Sequence, residues 1–221
     1  MGFLNRHRVV FWVALCCAAQ PLCAQTDFVA VDAYAAGLQI RGNDIEQLAD
    51  TLTAPFTTEI EKARAIFAWI AEHIAYDCGS ENRLAAEPET AVHPLYYTQV
   101  QLNNILATGR TRCEGFAFLF KLMCNLAEIQ CAQVEGFARF AGEKVDPATV
   151  MPNHAWNAVC LDGAWHEVDV TAGAGQCEGR RFRRNKQDAY FLMADKLLDR
   201  TYIPIDDGRL LINQGRIILK F

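Results

Sequence analysis

Asp162-Gly163 stands between two β-rich runs, Asn153–Val159 and Trp165–Thr171. A two-residue Asp-Gly step between such runs is a strong hairpin signal, and it pins the register of both strands. With these two residues as the turn, Leu161 faces Ala164, Trp156 faces Asp169 and His154 faces Thr171. Side chains alternate along a strand, so His154, Trp156, Asp169 and Thr171 are expected on one face. His154 and Asp169 then become diagonal neighbours, within reach of an imidazole–carboxylate hydrogen bond. Glu167 shares that face nearer the turn, whereas His166 faces Val159 on the other side and is left out of the set.

Upstream, Thr111–Ala127 reads as a helix. Phe116, Leu119, Phe120, Met123 and Ala127 recur at steps of three and four, an apolar stripe for core burial. Thr111 and Glu114 have the spacing of a capping box, which places Cys113 at about the second helical position. There the unpaired amides and the helix dipole favour a thiolate over a thiol. By itself such a cysteine is more often a small buried hydrophobe. Followed by His154 and Asp169, it completes a thiol–imidazole–carboxylate set suited to nucleophilic catalysis.

Three blocks carry a resemblance: RCEGFAFLFKLMCNLAEIQCAQVEGFAR, NHAWNAV and WHEVDVT. Together they resemble the core of the transglutaminase-like superfamily. The flanks EKARAIFAWIAEHIAYD and DAYFLMADKLLDRTYIPID resemble its bacterial secreted and kyphoscoliosis-type branch, so the likeness spans roughly residues 44 to 212. It implies an α+β fold with a papain-like cysteine-enzyme core of transglutaminase type. N-terminal helices and the nucleophile helix would pack on an antiparallel sheet. It also implies acyl transfer through a cysteine thioester, with Cys113, His154 and Asp169 as the catalytic residues. Tyr76 lies near the place of an oxyanion-stabilising tryptophan of animal transglutaminases. Tyr76 and Trp156 are the candidate oxyanion or substrate contacts, although a tyrosine closing a helix is more often packing. The branch often has a histidine shortly before the proline of Tyr202-Ile203-Pro204; this chain has none there.

Elsewhere the pattern is that of scaffold. Ile45, Leu48 and Leu52 mark a short amphipathic helix, and Ile60, Ala63, Phe67, Ile70 and Ile74 a longer one from Thr58 to Tyr76, with Thr58 and Glu61 as a capping box. Residues 79–110 are expected to be irregular until Gln99–Leu106, with Tyr96 and Tyr97 over the core or a cleft. Cys131–Arg139 alternates as a strand, Phe140–Pro152 reads as a loop, and Leu210–Phe221 as a final strand. Gly173, Gly175 and Gly179 suggest a flexible loop into the basic run Arg180–Lys186, most simply a solvated face.

Residues 1–24 read as a secretory signal: Arg6 and Arg8 form a basic start, Val9–Ala19 is too short to span a bilayer, and Leu22-Cys23-Ala24 is a cleavage context. Residues 25–221 form the expected single domain, secreted or periplasmic, without a membrane span. Arg6 and Arg8 leave with the signal and no acid does, so 21 basic residues become 19 against 26 acidic ones, a net charge of −7. That balance argues against a nucleic-acid partner. Cys78, Cys113, Cys124, Cys131, Cys160 and Cys177 remain, and in an oxidising compartment some should pair. On one continuous helix Cys124 and Cys131 would stand about 10.5 Å apart, so they could bridge only if the helix ended between them. No metal or cofactor is expected, since CxxC and HxxxH spacings are missing. The expected partner is a peptide or protein substrate, a cell-wall peptide among the candidates; nothing in the pattern sets an oligomeric state. Hydrolysis is preferred to transamidation, for want of a recognisable acyl-acceptor site or calcium-ligand cluster. A catalytically silent peptide-binding module is the alternative, and the intact Cys113, His154 and Asp169 speak against it. A redox role lacks Cys-x-x-Cys.

Overall fold

The computed structural model describes residues 27–39, 44–79, 94–139 and 152–205. The signal segment, the 140–151 part of the expected loop, the side chains of Tyr96 and Tyr97, and the strand expected at Leu210–Phe221 lie outside the described residues. The chain builds an α+β fold: helices pack on one antiparallel sheet.

Helix α1 (Val29–Gly37) had no clear periodic signal; α2 (Ile45–Thr53) and α3 (Glu59–His73) follow theirs. Asp44 accepts from the Gln47 amide to start α2, and Thr58 with Glu61 forms the complete capping box of α3. Ile74 closes α3 and leads into the two-residue β1 (Ala75–Tyr76). Helix α4 (Pro94–Thr108) begins earlier than expected, with proline at its first position, where a missing N–H costs nothing. Strand β2 (Arg110–Thr111) pairs in parallel with β1, Tyr76 beside Thr111.

That pairing corrects the expected start of the central helix. Thr111 closes β2, one residue ahead of the cap position. Arg112 takes that position, and α5 (Cys113–Leu126) starts on the cysteine itself. The apolar stripe is as expected, with Phe116, Leu119, Phe120 and Met123 fully buried against α3 and the sheet.

The sheet runs in the order β5, β4, β3, β8, antiparallel throughout: β3 (Cys131–Ala138), β4 (His154–Leu161), β5 (Ala164–Val168) and β8 (Tyr202–Pro204). Asp162 and Gly163 have φ of 51° and 79°, the two positive values a type I′ turn needs, and Leu161 faces Ala164 as the turn predicts. Asn157 faces Val168 in that register, and there the ladder stops. The expected pairs Trp156–Asp169 and His154–Thr171 do not form. The cause is local: Asp169 accepts a hydrogen bond from the Ala172 amide (3.0 Å) and caps a short helix, α6 (Val170–Ala174), which carries Thr171 out of the strand.

Two apolar clusters flank the sheet. The main one joins α1, α2, α3 and α5 to Val159, Leu161 and Val168; the smaller one holds Ala138, Trp156, Met193, Leu198 and Tyr202 on the opposite face. Helix α7 (Asp195–Thr201) feeds β8 into the sheet edge. Gly136 permits that approach, since a Cβ there would stand 2.3 Å from the Ile203 carbonyl oxygen and 2.7 Å from the Trp156 ring.

The glycine-rich stretch after α6 is a hairpin rather than a loop, β6 (Gly175–Glu178) with β7 (Arg181–Arg184). A Cys78–Cys177 disulfide ties it to the end of β1 across 99 residues of sequence. Much of the basic run is structural. Arg184 donates to the Ala71 and Ile74 carbonyls at the C-terminus of α3, Arg183 pairs with Glu178, and Lys186 with Asp32. Helix α5 does end between Cys124 and Cys131, yet both remain buried free thiols, as does Cys113; Cys160 is half-buried and free. Replacing Cys177 with serine frees a loop of that length in the unfolded chain. A loss of about 2–4 kcal/mol is expected in urea denaturation, and reducing the wild type should reproduce it.

Candidate active site

Cys113 occupies the first position of α5, where the backbone amides of the opening turn have no helical partner. Burial on both sides of this helix end keeps it rigid: Phe116 stacks near Tyr76 (6.3 Å), and Gly115 lies directly against Thr111. A second anchor is Asn157 of β4, which sequence reasoning passed over. Its side-chain amide donates to the Ala117 carbonyl of α5 (2.9 Å) and the Ala132 carbonyl of β3 (3.2 Å), fastening the cysteine helix to the sheet. A polar residue on an otherwise apolar strand face was the available signal.

His154 opens β4 opposite Gly136, and its Nε2 lies 2.7 Å from Oδ2 of Asp169. The Cys113 sulfur is the imidazole's other neighbour and favours its charged form. Cys113 is 5% exposed, His154 4% and Asp169 0%, so these polar groups interact with little water between them. The Asp169 carboxylate accepts three hydrogen bonds: from His154 Nε2–H, from the Ala172 amide to Oδ1, and from the Tyr202 hydroxyl to Oδ2 (2.7 Å). Burial would raise its pKa, but the His154 charge and these donors win and hold it below the ordinary carboxylate range. An ionised carboxylate only accepts, so Nε2 carries a proton. Burial opposes charge on His154 as well. The adjacent carboxylate, its hydrogen bond and the Cys113 sulfur overcome that and push the imidazole up to about 10.

The sign of this shift gives a stability prediction. A raised histidine pKa contributes stability that is complete below about 6.5 and is lost as pH climbs towards 10. Urea midpoints are therefore expected to decline between pH 6.5 and 10. The decline should shrink in Asp169→Asn, where the carboxylate that raises the imidazole is gone.

Tyr76 and Trp156 occupy different surroundings. Tyr76 is half-buried beside Cys113 and Arg112; burial and the nearby sulfur raise its phenol to about 12, so it remains an O–H donor at neutral pH. Trp156 is 1% exposed and its indole N–H donates to Glu167 (3.2 Å). It stacks behind His154 at 6.1 Å and forms the back of the site. Thr171 lines the cleft from α6 instead of pairing with His154. His166 faces Val159, away from the site. Sequence reasoning missed Tyr202, which lies 33 residues beyond Asp169 and carries no local pattern to link the two.

A cavity of about 680 Å³ opens over His154. Tyr76 borders one side, the β6–β7 hairpin with Gln176 and Phe182 another, and Asn185, Gln187 and Tyr190 a third. Among its described lining residues none is Lys, Arg, Asp or Glu. The described residues include no cluster of three or more His, Cys, Asp or Glu able to hold a metal ion.

Residues 46–170, more than half of the chain, match the model of the transglutaminase-like superfamily. Human kyphoscoliosis peptidase is 30% identical over 200 residues, covering 88% of this chain and 28% of that protein. The Lim and transglutaminase domain protein ltd-1 of Caenorhabditis elegans is 24% identical over 228 residues, covering 93% of this chain and 29% of its own. The chain thus spans less than a third of these curated relatives. Among solved structures, the crystal structure of a TGase superposes with a TM-score of 0.42 at 20% identity, over 75% of this chain and 37% of that one. A cysteine-headed helix packed on an antiparallel sheet, with the family model running from α2 into α6, identifies the chain as a member of the transglutaminase-like superfamily.

Proposed function

We propose that the protein is a cysteine-dependent acyl-transfer enzyme acting on amide bonds of peptides or proteins, with water as its preferred acceptor. The observation that carries this reading is the buried relay from Cys113 through His154 to Asp169, with its 2.7 Å imidazole–carboxylate bond beneath an open cavity. In the proposed reaction the Cys113 thiolate attacks the amide carbon. His154, as imidazolium, gives its Nδ1 proton to the departing amine nitrogen. The C–N bond breaks and a thioester remains on Cys113. His154 then takes a proton from water, the resulting hydroxide attacks the thioester, and a carboxylic acid leaves as the Cys113 thiolate re-forms beside the imidazolium. Asp169 keeps Nε2 protonated and stabilises the charged ring throughout. The Cys113 amide at the helix start and the Tyr76 hydroxyl are the proposed oxyanion donors. Uncharged walls of Asn153, Gln176, Asn185 and Gln187 suit a neutral peptide stretch.

Secretion belongs to the same proposal. The basic and apolar pattern of residues 1–24 supports export, and the Cys78–Cys177 bond suits an oxidising compartment.

The test is a peptide library digested with and without an excess of a primary alkylamine, the products being read by mass spectrometry. New carboxylic acids are expected, and none with Cys113→Ala. Amine adducts outnumbering acids would overturn the hydrolytic preference, and turnover surviving Cys113→Ala would overturn the nucleophile.

A further inference from the structure

We propose that Tyr202 is a positioning residue of this site: its hydroxyl fixes the Asp169 carboxylate in the one orientation that serves His154. The inference rests on the triad reading above and extends it to a fourth side chain. Tyr202 Oη and His154 Nε2 each lie 2.7 Å from the same oxygen, Oδ2, while the Ala172 amide holds Oδ1. Both carboxylate oxygens are thereby committed, and rotation about the Cβ–Cγ bond would break all three bonds at once. Without the phenol, Oδ2 would keep the imidazole alone, inside a site where Asp169 has no access to water.

The fold goes to some length to bring this hydroxyl in. Tyr202 is 2% exposed, and its ring packs 5.1 Å from Trp156 and 6.0 Å from His154. It starts β8, paired to Ala138, and the missing side chain at Gly136 lets that strand close on the sheet. Among the described residues, the titratable groups facing this point include His154 from β4, Cys113 from α5, Glu167 from β5, Tyr190 from the turn after β7, and Asp169 itself. Burial and the adjacent carboxylate drive the Tyr202 phenol well above the ordinary tyrosine range, so it stays a donor wherever the enzyme is folded.

The experiment compares wild type with Tyr202→Phe, which keeps the ring and removes only the hydroxyl. In chains labelled with ¹³C-aspartate, the Asp169 carboxyl carbon, assigned by its loss in Asp169→Asn, is followed through acid titration. Losing a donor to a buried carboxylate should raise its midpoint by about one pH unit. Tyr190→Phe, a phenol nearby without a bond to Asp169, should leave the midpoint in place. An unchanged midpoint in folded Tyr202→Phe would make the hydroxyl a packing ornament and overturn the proposal. Turnover should fall about tenfold in kcat with KM unchanged; a shifted midpoint with unaltered kcat would likewise overturn the positioning role. Should Tyr202→Phe fail to fold, the wild type decides. In equal H2O and D2O the Tyr202 Cζ carbon should show two lines from a slowly exchanging hydroxyl, and one averaged line would contradict a buried bond. The carbon signals require no turnover, so they stand or fall apart from the thioester chemistry.

Discussion

Asp169→Asn should leave the protein folded and lower turnover by about 10⁴, the size of the effect when the same change is made in a Ser-His-Asp triad. The fold survives because asparagine caps helices as well as aspartate does, so its side-chain oxygen keeps the Ala172 amide. That orientation forces the new NH₂ group to the Oδ2 position, facing both His154 and Tyr202. His154 Nε2 must then accept a hydrogen bond, which leaves a neutral ring with its proton on Nδ1. The charged imidazole loses its counter-ion and cannot persist beside Cys113. The measurement is kcat on any substrate that emerges from the library, with thermal melting as the control for folding. A variant that melts like wild type and turns over within tenfold of it would remove Asp169 from the mechanism.

Arg64→Ala should cost about 3–5 kcal/mol of stability, a large part of what a domain of this size has. Arg64 is 1% exposed at the centre of α3. Its guanidinium makes a two-pronged bond to Asp32 of α1 at 2.7 Å, reaches Asp188, and sits among the rings of Phe28, Phe67 and Phe191 at about 5 Å. Burial disfavours its charge, but the two carboxylates more than compensate. Alanine removes packing and leaves Asp32 and Asp188 with Lys186 alone between them. The damage should also reach the site. Asp188 begins the short 3-10 turn Asp188–Tyr190, and the Tyr190 carbonyl receives the Asp169 amide at 2.9 Å. Urea denaturation gives the stability change directly; a loss under 1 kcal/mol would mean that the cluster is dispensable.

What the sequence disclosed depended on how local the deciding contact was. The stripe on α5 and the Asp162-Gly163 turn were legible because helical period and positive φ are properties of neighbouring residues. The helix start was misplaced by one residue: Thr111 pairs with Tyr76, 35 positions earlier, as the end of a strand, and Arg112 takes the cap. The hairpin register brought His154 and Asp169 to the same end of the sheet, yet the expected cross-strand pairs Trp156–Asp169 and His154–Thr171 do not form. Asp169 reaches the imidazole from a helix cap just beyond the last rung, so the right neighbours meet by a different geometry. The Cys78–Cys177 bond, the packing of Arg184 under α3 and the Tyr202 hydroxyl all join parts of the chain far apart in sequence. No window of residues contains them, and glycines followed by arginines look the same whether solvated or stapled into a hairpin.

The most direct measurement is the mass of the protein itself, quenched in acid within seconds of mixing with the peptide library and digested to locate any adduct. The expected result is an acyl group in thioester linkage on Cys113, labile to hydroxylamine, absent from Cys113→Ala and accumulating in a variant slowed at deacylation. An active enzyme that carries no adduct on Cys113, or whose adduct lies on Cys160, would contradict the assignment of Cys113 as the nucleophile.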